Sequence, residues 1–272
     1  MLAIKNNLMA VNAARHLGNS YDALSRSVER LSSGLRINSA KDDAAGLAVR
    51  ELMRSDLVVT EQGIRNAHDG ISMLQTMEGA MAVVDDALVR MQQLAEQAAT
   101  GSYSSAQRAI MENEFSEMRS EIDRIAGSTK FNGIAMLDNS ASVAIHFGKP
   151  ASDNISLTGS NITSASSGLN ITGLTIADIA SAKNALVTLD SAISTKDAAR
   201  AKFGYKMNRL EGTITVLGIA AENLQASESR ISDVDVATEM GNMTKNQVLA
   251  QAGISMLAQA NTMPQMALQL LR

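Results

Sequence analysis

Apolar residues recur at alternating three- and four-residue steps in four separate stretches of this chain. That spacing lays one stripe along a helix and obliges the stripe to be hidden against a partner helix. The first stretch is Ala10, Ala14, Leu17, Tyr21, Leu24, Val28, Leu31 and Leu35. The second is Leu74, Met77, Met81, Val84, Leu88, Met91, Ala95 and Ala98, inside a helix predicted from about Ala44 to Thr100. The third, Met111, Phe115, Met118, Ile122 and Ile125, follows Ser104 and Gln107 at capping-box spacing and stops at Gly127. The fourth is Phe203, Met207, Leu210, Ile214, Leu217, Ala221 and Leu224, and no polar residue interrupts any of the four. Composition agrees: 45% of the residues are hydrophobic but only 3% aromatic, with no Trp and 16 Met, which suits a core of aliphatic and Met side chains packed helix on helix. The expected fold is mainly α, a long antiparallel coiled-coil or helical-bundle rod. The competing arrangement is a set of ordinary amphipathic helices around one globular core.

Two breaks interrupt the terminal helices and mirror each other. Gly34 ends one helix and Ser39 with Asp42 opens another in S-x-x-D spacing; Ser232 and Asp235 repeat the device near the C-terminus. Each break leaves an arm of roughly 35 to 40 residues, about 50 Å if helical, and matched lengths suggest that the two ends pair. The resulting organisation is an N-terminal arm 1–34, a linker 35–46, a helical segment 47–130, a middle segment 131–178, a second helical segment 179–226, a linker 227–234 and a C-terminal arm 235–272. Pairing of the ends would send the middle segment to the far end of the rod. There, Asn132-Gly133 is a hairpin signal, and alternation in Val143–Phe147 and Ile155–Thr158 suggests short strands. Ser, Thr, Asn and Gly dominate Ser152–Thr175. A small β cap or exposed loop is expected, with no large outer domain.

Catalytic signatures are poor. The absence of Cys removes disulfides, thiol nucleophiles, iron–sulfur clusters and Cys-ligated zinc. His16, His68 and His146 are far apart in sequence and none sits in H-E-x-x-H. No P-loop, G-x-S-x-G or strand-following G-x-G-x-x-G occurs. Asp42-Asp43 and Asp85-Asp86 read as helix starts and solvated faces. No enzyme activity, cofactor or metal is expected. The net charge of −4 without a basic run gives no support for nucleic acid as a partner, and no apolar run reaches the ~18 residues of a membrane span. The first residues are too polar for a Sec signal peptide, so export would use another route. Four N-x-S/T triplets, at Asn154, Asn161, Asn170 and Asn242, arise readily in such composition.

The last 33 residues are unusually apolar: Met240, Val248, Leu249, Ile254, Met256 and Leu257 are among a dozen such side chains, more than one partner arm would cover. Many copies burying their arms together would resolve this. The first 54 residues carry eight Lys and Arg against five Asp and Glu, while residues 207–272 carry four against six, which favours pairing of the arms.

Leu31-Ser32-Ser33-Gly34-Leu35-Arg36-Ile37-Asn38-Ser39-Ala40-Lys41-Asp42-Asp43-Ala44-Ala45-Gly46 resembles the N-terminal signature of the bacterial flagellins. Glu222-Asn223-Leu224, Ser229–Asp235, Gln259-Ala260-Asn261 and Pro264-Gln265 resemble the C-terminal one, and Glu121–Ala126 with Phe131-Asn132-Gly133 matches the segment between. The resemblance implies a filament subunit for swimming motility, secreted through the flagellar type III apparatus, held by a secretion chaperone and polymerised with itself into an extracellular helical tube. Hook-associated junction and cap proteins are the implied neighbours. The paired arms would line the channel, with Leu17, Leu24, Val28, Leu31, Leu249, Met256, Leu257 and Leu270 packing the filament core. Arg90, Leu94 and Glu114 match key positions of the motif that a flagellin-sensing toll-like receptor reads, although Gln92, Gln93 and Glu96 differ there. The short middle segment implies a thin, smooth exterior, and Phe203 and Tyr205 replace the family's small and polar residues. The rival readings are a hook–filament junction protein and a secreted coiled-coil protein directed at a host.

Overall fold

The computed structural model describes residues 7–139 and 141–270, with side chains described as far as Met263. The elements are α1 (Leu8–Ser33), α2 (Ala44–Ala99), α3 (Ser105–Ser128), β1 (Lys130–Phe131), β2 (Ile134–Ala135), β3 (Ser142–His146), β4 (Asn154–Thr158), α4 (Ile179–Ser232) and α5 (Val236–Leu270). The mainly α fold with a small hairpin element in the middle is as the sequence predicts. The chain forms two compact units: residues 58–221, and the two chain ends up to Leu57 and from Glu222.

In the 58–221 unit the apolar stripes are consumed internally. All eight α2 stripe residues from Leu74 to Ala98 are buried, as are Phe115, Ile122 and Ile125 of α3 and Phe203 and Leu210 of α4. Each buried Leu or Met contributes roughly 1.5–3 kcal/mol, so this seam outweighs the weak local preferences of its helices. The α4 seam begins further upstream than the sequence stripe. Ala182, Ala185, Leu189, Ala192, Lys196, Ala199 and Phe203 are buried in unbroken 3-4 order.

Lys196 is therefore a charged residue in an apolar seam, 1% exposed, its Nζ bonded to Asp85 and 2.8 Å from Asp197. Two further polar links flank it. Gln92 Nε2 donates to Asp190 at 2.8 Å, and Arg200 lies 3.5 Å from Glu78. Residues 78, 85 and 92 are seven apart on α2 while their partners run the opposite way on α4, which pins an antiparallel register.

Helix ends follow their local chemistry. Ser104 and Gln107 form the predicted capping box: Gln107 N–H donates to Ser104 Oγ at 3.3 Å and Ser104 N–H to Gln107 Oε1 at 2.8 Å. Asp178 caps α4, accepting from Ser181 N–H at 2.9 Å and from its hydroxyl at 2.8 Å, and these bonds, the backbone one foremost, hold its carboxyl below the usual range. Asn132 and Gly133 take φ of 48° and 79°, the left-handed pair of a type I′ turn, and join β1 to β2 antiparallel.

The middle segment forms the expected small β element and packs into the core of the 58–221 unit instead of lying as an exposed loop. β3 and β4 pair antiparallel, Val143 opposite Leu157 and Ile145 opposite Ile155, and Ile155 and Leu157 are buried in the core. The hairpin lies so close to α2 that a Cβ at Gly63 would collide with the Phe147 carbonyl oxygen. Residues 164–177 then run along α3, whose side chains bond part of their backbone. Ser164 N–H donates to Asp123 at 2.7 Å, Arg119 donates to the Thr172 and Leu174 carbonyls, and Ile176 N–H donates to Glu112 at 2.5 Å. A Ser/Thr/Asn-rich sequence suggests loop because its few apolar residues lack periodicity. Here Ile162, Leu169, Ile171 and Ile176 are buried one at a time, with α3 side chains supplying the hydrogen bonds.

Candidate assembly surface

The unit made by the chain ends is organised differently. Asn7 caps α1, accepting from Ala10 N–H at 3.1 Å, and Gly34 ends the helix in the left-handed conformation, φ 72°. The two breaks pair with each other: Arg36 N–H donates to the Ser232 carbonyl at 2.7 Å and Val234 N–H to the Gly34 carbonyl at 3.0 Å, around a bridge between Leu35 and Asp233. Ser39 and Asp42 do not open α2. They close a turn one step upstream, with Ser39 N–H donating to Asp42 at 3.0 Å, while Asp43 caps the helix by accepting from Gly46 N–H at 2.9 Å. At the other break Asp235 caps α5, accepting from the Thr238 hydroxyl at 2.7 Å and the Ala237 N–H at 3.0 Å. Hydrogen bonds from Ser39, above all its N–H, and from Thr238, above all its hydroxyl, hold the Asp42 and Asp235 carboxyls below their usual range.

α1 and α5 pair antiparallel. Asn7 Nδ2 donates to the Ala260 carbonyl at 2.7 Å, Leu17 packs against Gly253, and Arg30 lies 3.8 Å from both Glu239 and Asp42. On α1, Ala13, Leu17, Ser20, Leu24, Ser27 and Leu31 are buried or half-buried, with Ala10, Ala23 and Arg30 half-buried around them; on α5, Glu239, Met243, Asn246, Ala250, Gly253, Leu257 and Ala260 are buried or half-buried, followed by Met263. The first-named set on each helix keeps strict 3-4 spacing, so both are heptad seams. Their content is the surprise: half of the α1 seam is Ala or Ser, and most of the α5 seam is small or polar.

The stripe read from sequence on α1 therefore divides. Leu17, Leu24 and Leu31 lie half-buried in the seam, but the alternate positions Ala14, Tyr21 and Val28 are exposed one residue to its side. Both spacings are 3-4, so periodicity alone could not choose between Ser20 and Tyr21. On α5, Leu249 and Met256 flank one edge of the seam and Met240 and Ile254 the other, all exposed, with Val248 between the edges. Of the residues expected to pack a filament core, Val28, Leu249 and Met256 are thus exposed in the single chain, Leu17, Leu24, Leu31 and Leu257 are half-buried, and the side chain of Leu270 lies outside the described residues. The seam residues Ser20, Ser27, Ala250 and Gly253 were missed by a search for large apolar groups; small residues at heptad spacing are the signal that would have found them.

The three expected receptor-contact residues do not share one environment. Arg90 Nε donates to Glu114 at 2.7 Å across α2 and α3, both side chains partly exposed, whereas Leu94 is buried in the core. Phe203 fills the α4 seam and Tyr205 is exposed. Among the described residues no cluster of three or more metal-ligating side chains occurs, and no helix is long and apolar enough to cross a membrane.

A helical bundle that buries its own stripes, together with a pair of terminal helices whose seam mixes leucines with small residues and whose edges leave large apolar side chains exposed, defines a self-assembling structural subunit. Residues 4–142 match the bacterial flagellin N-terminal helical region and residues 186–271 the flagellin C-terminal helical region. The flagellar filament 33 kDa core protein of Treponema phagedenis is 42% identical over 286 residues, and the flagellin of Halalkalibacterium halodurans 40% identical over 272, each alignment covering 100% of both chains. The crystal structure of Bacillus cereus flagellin, at 32% identity, superposes with a TM-score of 0.51 over 56% of this chain and 88% of that one. The chain belongs to the bacterial flagellin family, a structural family, and is a self-polymerising subunit of the flagellar filament.

Proposed function

We propose that the filament is held together by the exposed edges of the α1–α5 pair. The observation that carries this reading is the position of Met240, Val248, Leu249, Ile254 and Met256 outside the seam that α5 makes with α1. Apolar residues on both edges suit a helix pair with a neighbour on each side, as in the wall of a tube. Each such side chain buried between copies contributes roughly 1.5–3 kcal/mol, and every added subunit repeats the gain. Leu17, Leu24, Leu31 and Leu257 hold the pair itself, and Val28, Leu249 and Met256 meet neighbours.

The same reading carries the remaining partners. The subunit leaves the cell through the flagellar type III apparatus, its apolar C-terminal arm covered by a secretion chaperone beforehand, and it meets junction and cap proteins at the ends of an extracellular filament. A toll-like receptor would meet the Arg90–Glu114 ion pair on the surface of α2 and α3, with Leu94 positioning that surface from beneath. The boundaries 1–34 and 235–272 are the arms that order the filament core.

The test is salt-induced polymerisation of purified protein, followed by electron microscopy and sedimentation. Leu249→Asp and Met256→Asp should each abolish filaments while the monomer keeps its helical circular dichroism, because both sites are exposed in the single chain. Normal filaments from both variants would sink the assignment of these edges.

A further inference from the structure

The chain has no Cys, so the reactive sulfur of the folded protein is all in methionine. The described methionines divide by region. Met73, Met77, Met81, Met91 and Met136 are buried in the core of the 58–221 unit. Met9 of α1 and Met240 and Met256 of α5 are 65%, 46% and 64% exposed, and these three all lie on the terminal helices. The others that are described, including Met53, Met111 and Met243, are half-buried. The accessible thioethers thus sit on the surface through which copies are proposed to join.

We infer that Met9, Met240 and Met256 are oxidation sites at which a peroxide switches off assembly of the free subunit. In the reaction the thioether sulfur attacks one peroxide oxygen and the O–O bond breaks. The sulfur gains an S=O bond and loses two electrons, and hydrogen peroxide leaves as water. The product is a polar, chiral sulfoxide where an apolar side chain should be buried, so its oxygen would lose water without gaining a donor. The step is reversible by a thiol-dependent methionine sulfoxide reductase pair, one enzyme for each epimer. Once subunits have joined, the same sulfurs are covered, so an existing filament resists a dose that disables monomers. The buried methionines of the other unit leave the fold intact during that exposure.

This inference rests on the assembly surface proposed above, and the experiment separates the two. Monomers and preformed filaments of the full chain receive the same graded hydrogen peroxide dose; peptide mass spectrometry locates added oxygen, and sedimentation reads the critical concentration for assembly. The expected result is oxygen at Met9, Met240 and Met256 of the monomer before Met73, Met77, Met81, Met91 and Met136. It should come with a critical concentration raised by roughly tenfold or more, restored by the reductases. A chain carrying Met9→Leu, Met240→Leu and Met256→Leu should assemble equally before and after peroxide. Unchanged assembly of oxidised wild type, or equal loss in the Leu variant, overturns the proposal. If the untreated Leu variant does not assemble, reductase rescue of the wild type decides: recovery supports the proposal and its absence overturns it. Failure of untreated wild type to polymerise instead overturns the assembly reading itself.

Discussion

The 58–221 unit and the paired chain ends are built from the same 3-4 repeat and use it in opposite ways. In the former, Leu74, Met77, Met81, Leu88 and Met91 face inward and are fully buried, so the repeat is spent on the fold. In the latter, Ala250, Gly253, Ser20 and Ser27 face inward, while Leu249, Met256, Tyr21 and Val28 are left to solvent. A seam in which Leu17, Leu24, Leu31 and Leu257 alternate with small or polar residues removes less apolar surface from water than the core seam does, and large apolar side chains stay exposed at its edges. The contrast separates a part that must fold alone from a part that must find other copies.

The largest expected effect sets the two regions against each other. Leu88→Ala in the core should cost about 2–5 kcal/mol, through lost burial plus a cavity, and lower the thermal midpoint of the monomer. Leu249→Ala should change monomer stability by no more than about 0.5 kcal/mol, the usual range for an exposed site, yet raise the critical concentration for polymerisation. Calorimetry with sedimentation reads both. Equal losses of monomer stability would erase the distinction.

A smaller effect concerns Lys196, the charge in the core seam among the described residues. Asp85→Asn withdraws a partner from the buried Lys196 ammonium and should cost up to about 3 kcal/mol, less than a fully orphaned charge because Asp197 remains 2.8 Å away. Lys196→Met keeps the volume and removes the charge, so its stability should stay within about 1 kcal/mol of wild type or exceed it. Denaturant titration checks the order; a Lys196→Met chain less stable than Asp85→Asn would show that the ion pair is a net source of stability.

The smallest effect is the pH response. Asp42 and Asp235 at the breaks of the paired ends, and Asp178 and Glu121 in the other unit, have carboxyls held below their usual values, Glu121 chiefly by its hydrogen bond from Arg124. A carboxyl with a depressed folded value binds its proton less readily when folded. Its contribution is thus complete above the unfolded value near pH 4 and is lost as pH falls through the lower folded value. Thermal melts should weaken in that window and not between pH 5 and 8. Asp235→Asn should flatten part of the acid slope, and an unchanged slope would remove this cap from the account.

Much of this was legible beforehand because it depends on local rules. The Ser104–Gln107 box, the Asn132-Gly133 turn, the start of α2 at Ala44 and the break after Ser33 all follow from side chains within a few residues of each other, whereas the C-terminal break comes later than the 227–234 linker, because α4 runs through Ser232 and Asp235 alone caps α5. The fate of residues 152–175 was not, because their apolar side chains are buried singly and part of their backbone is bonded by α3 side chains, more than 50 residues away in sequence in the case of Arg119. Lys196 was invisible for a related reason: a lysine reads as surface until Asp85, 111 residues distant, is placed beside it.

The sequence by itself determined that long helices would carry apolar stripes, that the ends would break and pair, and which family the chain resembles, since periodicity, caps and motifs are properties of neighbouring residues. Only the tertiary structure decided which of two equally spaced stripes faces inward. A spacing of three and four is satisfied by Leu17, Ser20 and Leu24 as well as by Leu17, Tyr21 and Leu24, and the choice falls to the partner helix. Gly253 and Ala250 admit a close neighbour at the seam, and the bulkier Tyr21, Val28 and Leu249 are turned toward whatever comes next to the subunit.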